Sequence, residues 1–487
     1  MKKYINILLG ICILLIAGCS KDKGNYDLKS INQIIITDTV GESVWVFQYD
    51  NLKLSPKLEQ TIAGDESKLQ YSWSAYAYSN PDISYPIGSS KELDARIDLV
   101  PGRYTVLYTV KDPGTGVSVF KEYRVEVNTR LGEGWMVLED LPTGKQEISM
   151  INTGEEVFHN LYQMANNGQN LPDNSHTIRI LNEGYGGIQH IFVLADKNAV
   201  EINYAGFKKI NGLKDWFFTT PSTVNVQNYE YGRVGAAAYM VNDNEFYSLS
   251  QINDNTNRKF GAPIKGDWKI SPYIFPFTFG DYAILYDTKN QRFLSHIYSA
   301  IYELSNSSGS AFDPGNVGKK LIFGGAGSNS GSLFNCLMKN NNDDHFFVYT
   351  IDASYFTDVI AVDKYEVKEA SELLYAKLFA FSGLYPHMYY AVGNKIYLLD
   401  LPAQKSRLVY AFPANAEITA IKIKQSTSMV VDYPDDHKQF VAATYQAGEG
   451  KLYKFDIGNT GDFVNNTYAK EYKGFAKIKN LEYKNKR

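Results

Sequence analysis

The sequence predicts an all-β protein, in which a small immunoglobulin-like β-sandwich precedes a β-propeller with seven as the preferred number of blades. The 487 residues include 37 Tyr, 26 Phe and 38 Gly, a composition typical of strands joined by tight turns. From residue 131 onward, an apolar strand, a polar turn and an alternating strand recur about every 51 residues. Before that, short alternating runs are separated by turn signals, as in a small sandwich.

The first eighteen residues predict a secretory signal peptide, because two lysines precede an apolar run at residues 7–16. That run is shorter than the roughly 20 residues of a membrane-spanning helix. It ends in Ala-Gly-Cys, which resembles the lipobox of bacterial lipoproteins and implies that Cys19 becomes the acylated N-terminus. We therefore expect residues 1–18 to be removed and residues 19–29 to form a lipidated tether. The alternative is an ordinary signal peptide cut near Gly18, with Cys19 as a free thiol.

Residues 30–128 predict the sandwich. Asp112–Gly116 forms a strong hairpin turn between two long runs, and a Pro-Gly turn precedes the first of them. We expect this domain to act as a spacer that holds the larger domain away from a membrane. The strand-like runs are Ile34–Ile36, Val44–Phe47, Leu69–Trp73, Tyr104–Val110 and Val117–Val127.

Residues 131–487 contain the repeat that predicts the propeller, since a blade buries its faces only against its neighbours. Six or eight blades would fit a slightly different division of the sequence, and a second sandwich is the alternative fold. The seven predicted hairpins begin at Trp135, Ile191, Tyr239, Tyr282, Phe334, Tyr389 and Val441.

Two inserts in the repeat, Glu155–Asn167 and Glu366–Phe379, place apolar residues at helical spacing and predict short helices at blade corners. A stretch with two prolines, residues 268–279, argues against a central strand there. No second apolar run in the sequence is long enough to cross a membrane. Cys336 is left without a partner once the signal and the acylated cysteine are set aside, so no intramolecular disulfide is expected.

The charge balance argues against a nucleic-acid partner. The formal net charge is −4, and it becomes −6 when the two lysines leave with the signal. The sequence also lacks a cluster of basic residues of the kind that binds nucleic acid.

The order of these segments resembles the PKD-like family lipoproteins of Bacteroidetes. The resemblance rests on the lipobox, Lys-Gly-Asn-Tyr-Asp at residues 23–27, the sandwich, and Gly-Trp-Met-Val-Leu-Glu at residues 134–139. It implies a surface accessory of a SusC/SusD-type outer-membrane importer, with a SusC-like TonB-dependent transporter and a SusD-like lipoprotein as partners. It also implies peptide-directed nutrient uptake, and it carries no catalytic residue over to this chain.

The sequence contains no zinc-binding or serine-hydrolase motif, and we expect no catalytic residue, metal or cofactor. Residues 324–329 are glycine-rich but lack the lysine of a phosphate loop. Residues 340–344 offer several oxygen ligands, yet their spacing does not match an EF-hand calcium loop.

Aromatic clusters are the better binding candidates, because rigid aromatic side chains give contact area at low entropic cost. The alternative is that they pack between blades. The expected ligand contacts are Trp216, Phe217, Trp268, Tyr273, Phe275, Tyr385 and Tyr389.

Three functions compete on this sequence. The preferred one is a non-catalytic, lipid-anchored outer-membrane protein that captures oligopeptides at the cell surface for an importer. A glycan ligand, or a propeller hydrolase or lyase with a site assembled from several blades, is the alternative. A purely structural partner of the importer is the third.

Overall fold

The computed structural model describes residues 32–38, 43–61, 66–183, 188–232, 237–249, 259–277, 280–327, 333–354, 360–426 and 433–486. The predicted signal peptide, Cys19 and the tether lie outside these residues. The chain divides into two compact units. Unit 1 extends to Ile97 and continues over Gly102–Asn128, and unit 2 comprises Asp98–Pro101 and the chain from Thr129 onward.

The described residues of unit 1 form nine strands around an aromatic core. Trp73 stacks on Tyr108 with 4.1 Å between ring centroids, and its indole N–H donates to the Ser90 carbonyl at 2.8 Å. The strands are β1 (Ile34–Thr37), β2 (Ser43–Phe47), β3 (Asn51–Leu54), β4 (Lys57–Gln60), β5 (Gln70–Ala77), β6 (Asn80–Gly88), β7 (Leu93–Arg96), β8 (Gly102–Lys111) and β9 (Ser118–Asn128).

The main sheet of unit 1 has the order β2-β9-β8-β5-β6, and β1–β4 and β3–β7 form two smaller pairs. The predicted hairpin joins β8 to β9, with the Gly116 amide donating to the Asp112 carbonyl at 2.8 Å. The alternating burial of β8 arises because every second side chain faces the core. The strand runs predicted for this region are all found as strands.

Unit 2 forms seven antiparallel sheets within the described residues, one of them with three strands and the others with four. In chain order its strands are β10 (Gly134–Asp140), β11 (Gln146–Asn152), β12 (Val157–Phe158); β13 (Ser175–Glu183), β14 (Ile188–Ala195), β15 (Asn198–Ile202), β16 (Lys209–Gly212); β17 (Val226–Tyr231), β18 (Ala238–Asn242), β19 (Glu245–Leu249); β20 (Ile270–Pro276), β21 (Tyr282–Asp287), β22 (Arg292–Ile297), β23 (Ala300–Glu303); β24 (Lys320–Ala326), β25 (Leu333–Lys339), β26 (Phe346–Asp352), β27 (Ala361–Val367); β28 (Leu378–Phe381), β29 (His387–Val392), β30 (Lys395–Asp400), β31 (Lys405–Ala411); and β32 (Glu417–Ile423), β33 (Gln439–Gln446), β34 (Glu449–Asp456), β35 (Lys470–Phe475), β36 (Lys477–Lys484).

Each of the seven predicted hairpins is present as an antiparallel pair: β10–β11, β14–β15, β18–β19, β21–β22, β25–β26, β29–β30 and β33–β34. Each pair is followed or preceded by a further strand of the same sheet. The first sheet is completed by the last strand of the chain, since β36 pairs with β10.

One edge strand of each sheet contacts the corresponding strand of the next sheet. We call these the inner strands, and their order of contact is β36, β13, β17, β20, β24, β28, β32 and again β36. Hydrophobic cores lie between consecutive sheets, and one of them joins Trp135 and Val137 of the first sheet to Val441 and Ala443 of the last. This arrangement is propeller-like.

Helix is confined, in the part of the chain that the structure describes, to α1 (Leu161–Ala165) and four short 3-10 segments. The all-β prediction is therefore confirmed. The 3-10 segments are Glu66–Lys68, Leu213–Trp216, Leu373–Tyr375 and Val464–Asn466. No helix of the described residues has the length and apolar character needed to cross a membrane.

The two predicted helices at blade corners are largely wrong. Only Leu161–Ala165 of the first is helical, because Val157 and Phe158 pair with β11 instead and Asn160 takes a left-handed φ of 57°. The second is divided between β27, a 3-10 turn and β28, with Glu372 left-handed at a φ of 58°. The proline-rich stretch forms β20, an edge strand whose pairing with β21 is irregular between Ile270 and Ile274.

Candidate functional site

Four charged side chains occupy four inner strands that follow one another around unit 2. We call Lys422, Glu482, Arg179 and Glu230 the charged arc, from β32, β36, β13 and β17. Lys422 Nζ lies 2.9 Å from Glu482 Oε2. A terminal nitrogen of Arg179 forms an ion pair with Glu230, and Glu482 acts on the same guanidinium electrostatically. The charges thus alternate in sign along the arc.

The charged arc lies deep in unit 2 and still retains access to solvent. The side-chain exposures of Lys422 and Arg179 are 30% and 24%, against 10% for Glu482 and 18% for Glu230. Burial raises the pKa of Glu230, and the Arg179 charge opposes that rise. The two cations are therefore the more accessible members of the arc.

A hydrogen bond from a backbone amide to a side chain of the next sheet holds the arc in place. The side-chain oxygen of Asn480 on β36 accepts a hydrogen bond from the Ile178 amide on β13 at 2.9 Å. The edge amide of an inner strand would otherwise be buried without a strand partner, which costs free energy. Glu482 follows Asn480 by two residues, and Arg179 follows Ile178 by one. The bond therefore also fixes the positions of these two charged residues.

Three aromatic side chains occupy the three inner strands that carry no member of the charged arc. We call Tyr273, Phe323 and Phe379 the aromatic arc, from β20, β24 and β28. The ring centroids are 5.7 Å apart for Tyr273 and Phe323, and 5.6 Å for Phe323 and Phe379. Each ring packs partly on a core between sheets and is partly exposed.

Contacts with β24 position the first ring of the aromatic arc. The Tyr273 hydroxyl donates to the Ile322 carbonyl at 3.3 Å, and burial raises the pKa of Tyr273 to about 12. Gly324 allows this approach, since a Cβ there would lie 2.7 Å from Phe275 Cζ and 3.0 Å from Tyr273 Cγ. The aromatic arc is therefore neutral over the physiological pH range and needs a glycine beside it.

Four of the seven sequence-predicted ligand contacts are buried. Trp216 and Phe217 pack in the core between the second and third sheets, and the Phe275 ring packs against that of Phe334 with 5.1 Å between centroids. Tyr389 is enclosed by Phe440 and Phe463, and its hydroxyl donates to the Gly461 carbonyl at 2.5 Å. These four side chains are at most 5% exposed, which favours the alternative that they pack between sheets over a contact with a ligand.

The other three predicted contacts are partly exposed and are not brought together. Trp268 lies in the loop before β20 and its ring covers Gly266, where a Cβ would lie 2.0 Å from the ring. Tyr385 lies after β28 and its ring is 5.7 Å from that of His387. Trp268 thus precedes the inner strand β20, and Tyr385 follows the inner strand β28. Tyr273 alone of the seven belongs to the aromatic arc.

The oxygen-rich turn at residues 340–344 is engaged by lysines. Lys319 Nζ donates to Asn340 Oδ1 at 2.5 Å, and Lys339 Nζ lies 2.7 Å from Asp344 Oδ1. Asp343 accepts from the Asn340 side chain at 2.8 Å. Across the described ranges, no group of three or more His, Cys, Asp or Glu side chains is placed to hold a metal ion.

Cys336 is fully buried in β25, where burial raises the pKa of its thiol.

Comparison with known protein families finds a match over about a third of the chain. A model of the PKD-like family matches residues 19–174, which supports the PKD-like part of the predicted resemblance over that range. No protein in a search of the curated sequences matches the chain.

Solved structures resemble the chain in fold. A quinonprotein alcohol dehydrogenase-like protein from Bacteroides thetaiotaomicron superposes with a TM-score of 0.52 at 12% identity, over 91% of this chain and 97% of that one. The WD40 domain of SCAP from fission yeast gives 0.35 at 10% identity, over 62% and 75%. A putative 6-phosphogluconolactonase from Bacteroides uniformis gives 0.32 at 8% identity, over 85% and 99%. At this identity the likeness concerns the fold alone.

Proposed function

We propose that unit 2 is a closed seven-bladed β-propeller with the inner strands around a central channel. The order of contact between inner strands, which returns from β32 to β36, supports this closure. So does the hydrophobic core shared by the first and last sheets. Pairing of the final strand with β10 joins the two ends of the ring, which is how propellers avoid an open edge.

We propose that the mature protein is a cell-surface lipoprotein of the outer membrane, anchored through Cys19. The lipobox supports this assignment, and the match to the PKD-like family begins at the same cysteine. One acyl chain gives only weak attachment, whereas the several chains of a bacterial lipoprotein anchor a protein stably. The anchor holds the propeller at the membrane surface without a membrane-spanning segment.

We propose that the propeller is a non-catalytic capture component of a SusC/SusD-type nutrient importer, with oligopeptides as the expected ligands. The observation that carries this proposal is the pairing of an aromatic arc with a charged arc on the inner strands, which offers apolar contact and hydrogen-bond donors together. Both carboxylates of the charged arc are engaged by cations. That arrangement favours binding over acid–base chemistry of the carboxyl-pair type, in which one carboxyl is protonated and the other ionised.

Co-purification with the native anchor tests the proposal. A SusC-like TonB-dependent transporter and a SusD-like lipoprotein are expected in mass spectra of the protein isolated from gently solubilised outer membrane. Cys19→Ser removes the acylation site and should lose both partners, whereas Ser20→Ala keeps Cys19 and should retain them.

Two results would overturn the proposal. Recovery of the acylated protein as a lone monomer would remove the importer role. Turnover of peptides or polysaccharides by the purified chain, in a substrate panel with divalent metal added, would replace capture by catalysis.

A further inference from the structure

The cations of the charged arc have unused hydrogen-bonding capacity. A guanidinium carries five N–H donors and an ammonium three. Glu230 accepts from one terminal nitrogen of Arg179, and Glu482 accepts from Lys422. Arg179 Nε is buried and has no hydrogen-bond partner among the described residues, while the Arg179 and Lys422 side chains as a whole remain 24% and 30% exposed. An incoming anion therefore meets positive charge first.

The aromatic arc gives the ligand a second requirement. Tyr273, Phe323 and Phe379 present ring surface that is partly exposed and carries no charge. Apolar surface gains about 25 cal/mol for each Å² that leaves water, and ring stacking adds to that. A molecule that combines an anionic group with an apolar group can use both arcs, and one with only one of these groups can use half of the site.

We propose that the inner strands of unit 2 bind an organic carboxylate next to an apolar group, with Arg179 and Lys422 taking the carboxylate and the aromatic arc taking the apolar part. This inference rests on the proposed function and names the ligand chemistry of the same site. The free C-terminus of a peptide with an apolar last residue carries this chemistry, and so does an acidic sugar with an apolar ring face.

Isothermal titration calorimetry on the full chain from residue 20 tests the chemistry with matched probes. The first pair is 3-phenylpropionate and its amide, which differ only in the charge. The second pair is a phenylalanine-terminated tripeptide with a free or an amidated C-terminus, and the third is a glucuronate disaccharide and its neutral glucose counterpart. We expect each binding carboxylate to lose at least tenfold in affinity when neutralised. The second and third pairs separate a peptide source from a sugar source.

Variants locate the site. Arg179→Gln combined with Glu230→Gln removes both charges without leaving one buried alone, and should weaken phenylpropionate binding at least tenfold. Phe323→Leu should weaken it severalfold by removing ring contact. Lys289→Gln and Tyr302→Leu change an exposed lysine and an exposed tyrosine elsewhere and should leave binding unchanged. Circular dichroism confirms that each variant is folded.

The outcomes separate this inference from the proposed function. Equal affinity for acid and amide, no binding of any carboxylate, or binding unaffected in folded variants would overturn the inference. Co-purification with the transporter would still support the importer role in those cases. Carboxylate binding without any co-purified transporter would keep the site and overturn the importer role.

Discussion

Replacing Lys484 by methionine should make unit 2 more stable near neutral pH. Lys484 ends β36 and is fully buried, and its ammonium donates to the Leu131 carbonyl. It also lies over the rings of Tyr204, at 3.9 Å, and Phe207, at 5.3 Å. These contacts join the last strand of unit 2 to the start of the unit and to the second sheet.

Burial lowers the pKa of Lys484 from 10.5 to about 7. At a pH below 7 the ammonium is charged in both folded and unfolded chains, so its desolvation costs about 5 kcal/mol for a shift of roughly 3.5 units. Methionine avoids this cost and leaves the Leu131 carbonyl without its donor, a loss of about 1 kcal/mol. The net gain is about 4 kcal/mol near pH 6.

The sign of the pH dependence distinguishes this origin from simple repacking. Between pH 7 and 10.5 the unfolded chain binds more protons at this lysine than the folded chain, so wild-type stability rises with pH. The methionine variant lacks this rise. Its advantage of about 4 kcal/mol at pH 6 should therefore shrink to less than about 1 kcal/mol near pH 9.5.

Pulse proteolysis in urea, read by mass spectrometry of peptides from β36, reports unfolding of unit 2 separately from unit 1. Lys473→Met, an exposed lysine on the adjacent stretch, is the matched control and should show no pH-dependent difference. Lys484→Arg places a permanent charge in the same position and should destabilise at every pH. A methionine variant whose difference from wild type is constant with pH would refute the argument from a buried ammonium.

Three further predictions concern single side chains. Burial lowers the pKa of His296 to about 4, so this residue costs no stability above its unfolded pKa of 6.5, and the free energy of unfolding falls as the pH drops from 6.5 toward 4. His296→Phe should abolish about 3 kcal/mol of that decrease, measured as the change in urea midpoint between pH 7 and 4.5. Gly324→Ala should cost about 1–3 kcal/mol and weaken phenylpropionate binding, because the new methyl displaces Phe275 and Tyr273 from their present positions; unchanged binding calorimetry would contradict it. Tyr389→Phe should lower the free energy of unfolding by about 1–2 kcal/mol and leave all ligand affinities unchanged, because the Tyr389 hydroxyl donates to a buried carbonyl. A reduced ligand affinity of this variant would instead support a binding role for Tyr389.

The hairpins of unit 2 could be predicted because their determinants are local. Tyr389–Val392 and Ile396–Leu399 are apolar runs around a Gly-Asn turn, and they pair directly as β29 and β30. Strand and turn preferences within a dozen residues are enough for this. The predicted helices failed where the same local spacing competed with a sheet edge: Val157 and Phe158 fit a helical face, yet they extend the first sheet through β11.

The aromatic residues show a different limit of the sequence. Trp216, Phe217 and Tyr389 fit the sequence pattern of binding residues, since rigid aromatic side chains give contact area at low entropic cost, yet all three turn inward to fill cores between sheets. Whether a ring faces solvent or the next sheet depends on contacts about one repeat away. Composition and local pattern carry no information about those contacts.

The charged arc was missed because it lies on inner strands, while the repeat was defined on the hairpins that follow them. Arg179 and Glu230 are 51 residues apart, and Lys422 and Glu482 are 60 apart. The first spacing equals the average repeat, so both partners occupy equivalent positions in consecutive sheets. Aligning the inner strands on that repeat would place Lys422, Glu482, Arg179 and Glu230 on four inner strands, and Tyr273, Phe323 and Phe379 on the other three.

The packing of the inner strands does not require those charges. Tyr273, Phe323 and Phe379 show that rings can fill inner-strand positions on three sheets. A buried ion pair is often neutral or unfavourable by about 1–4 kcal/mol relative to apolar residues of similar size. The burial that raises the pKa of Glu230 is a sign of that desolvation cost. The fold does not need these charges, and solvent still reaches the two cationic side chains. A ligand therefore explains the charges better than stability does. Binding should accordingly be sought on the inner strands and not on the exposed loops.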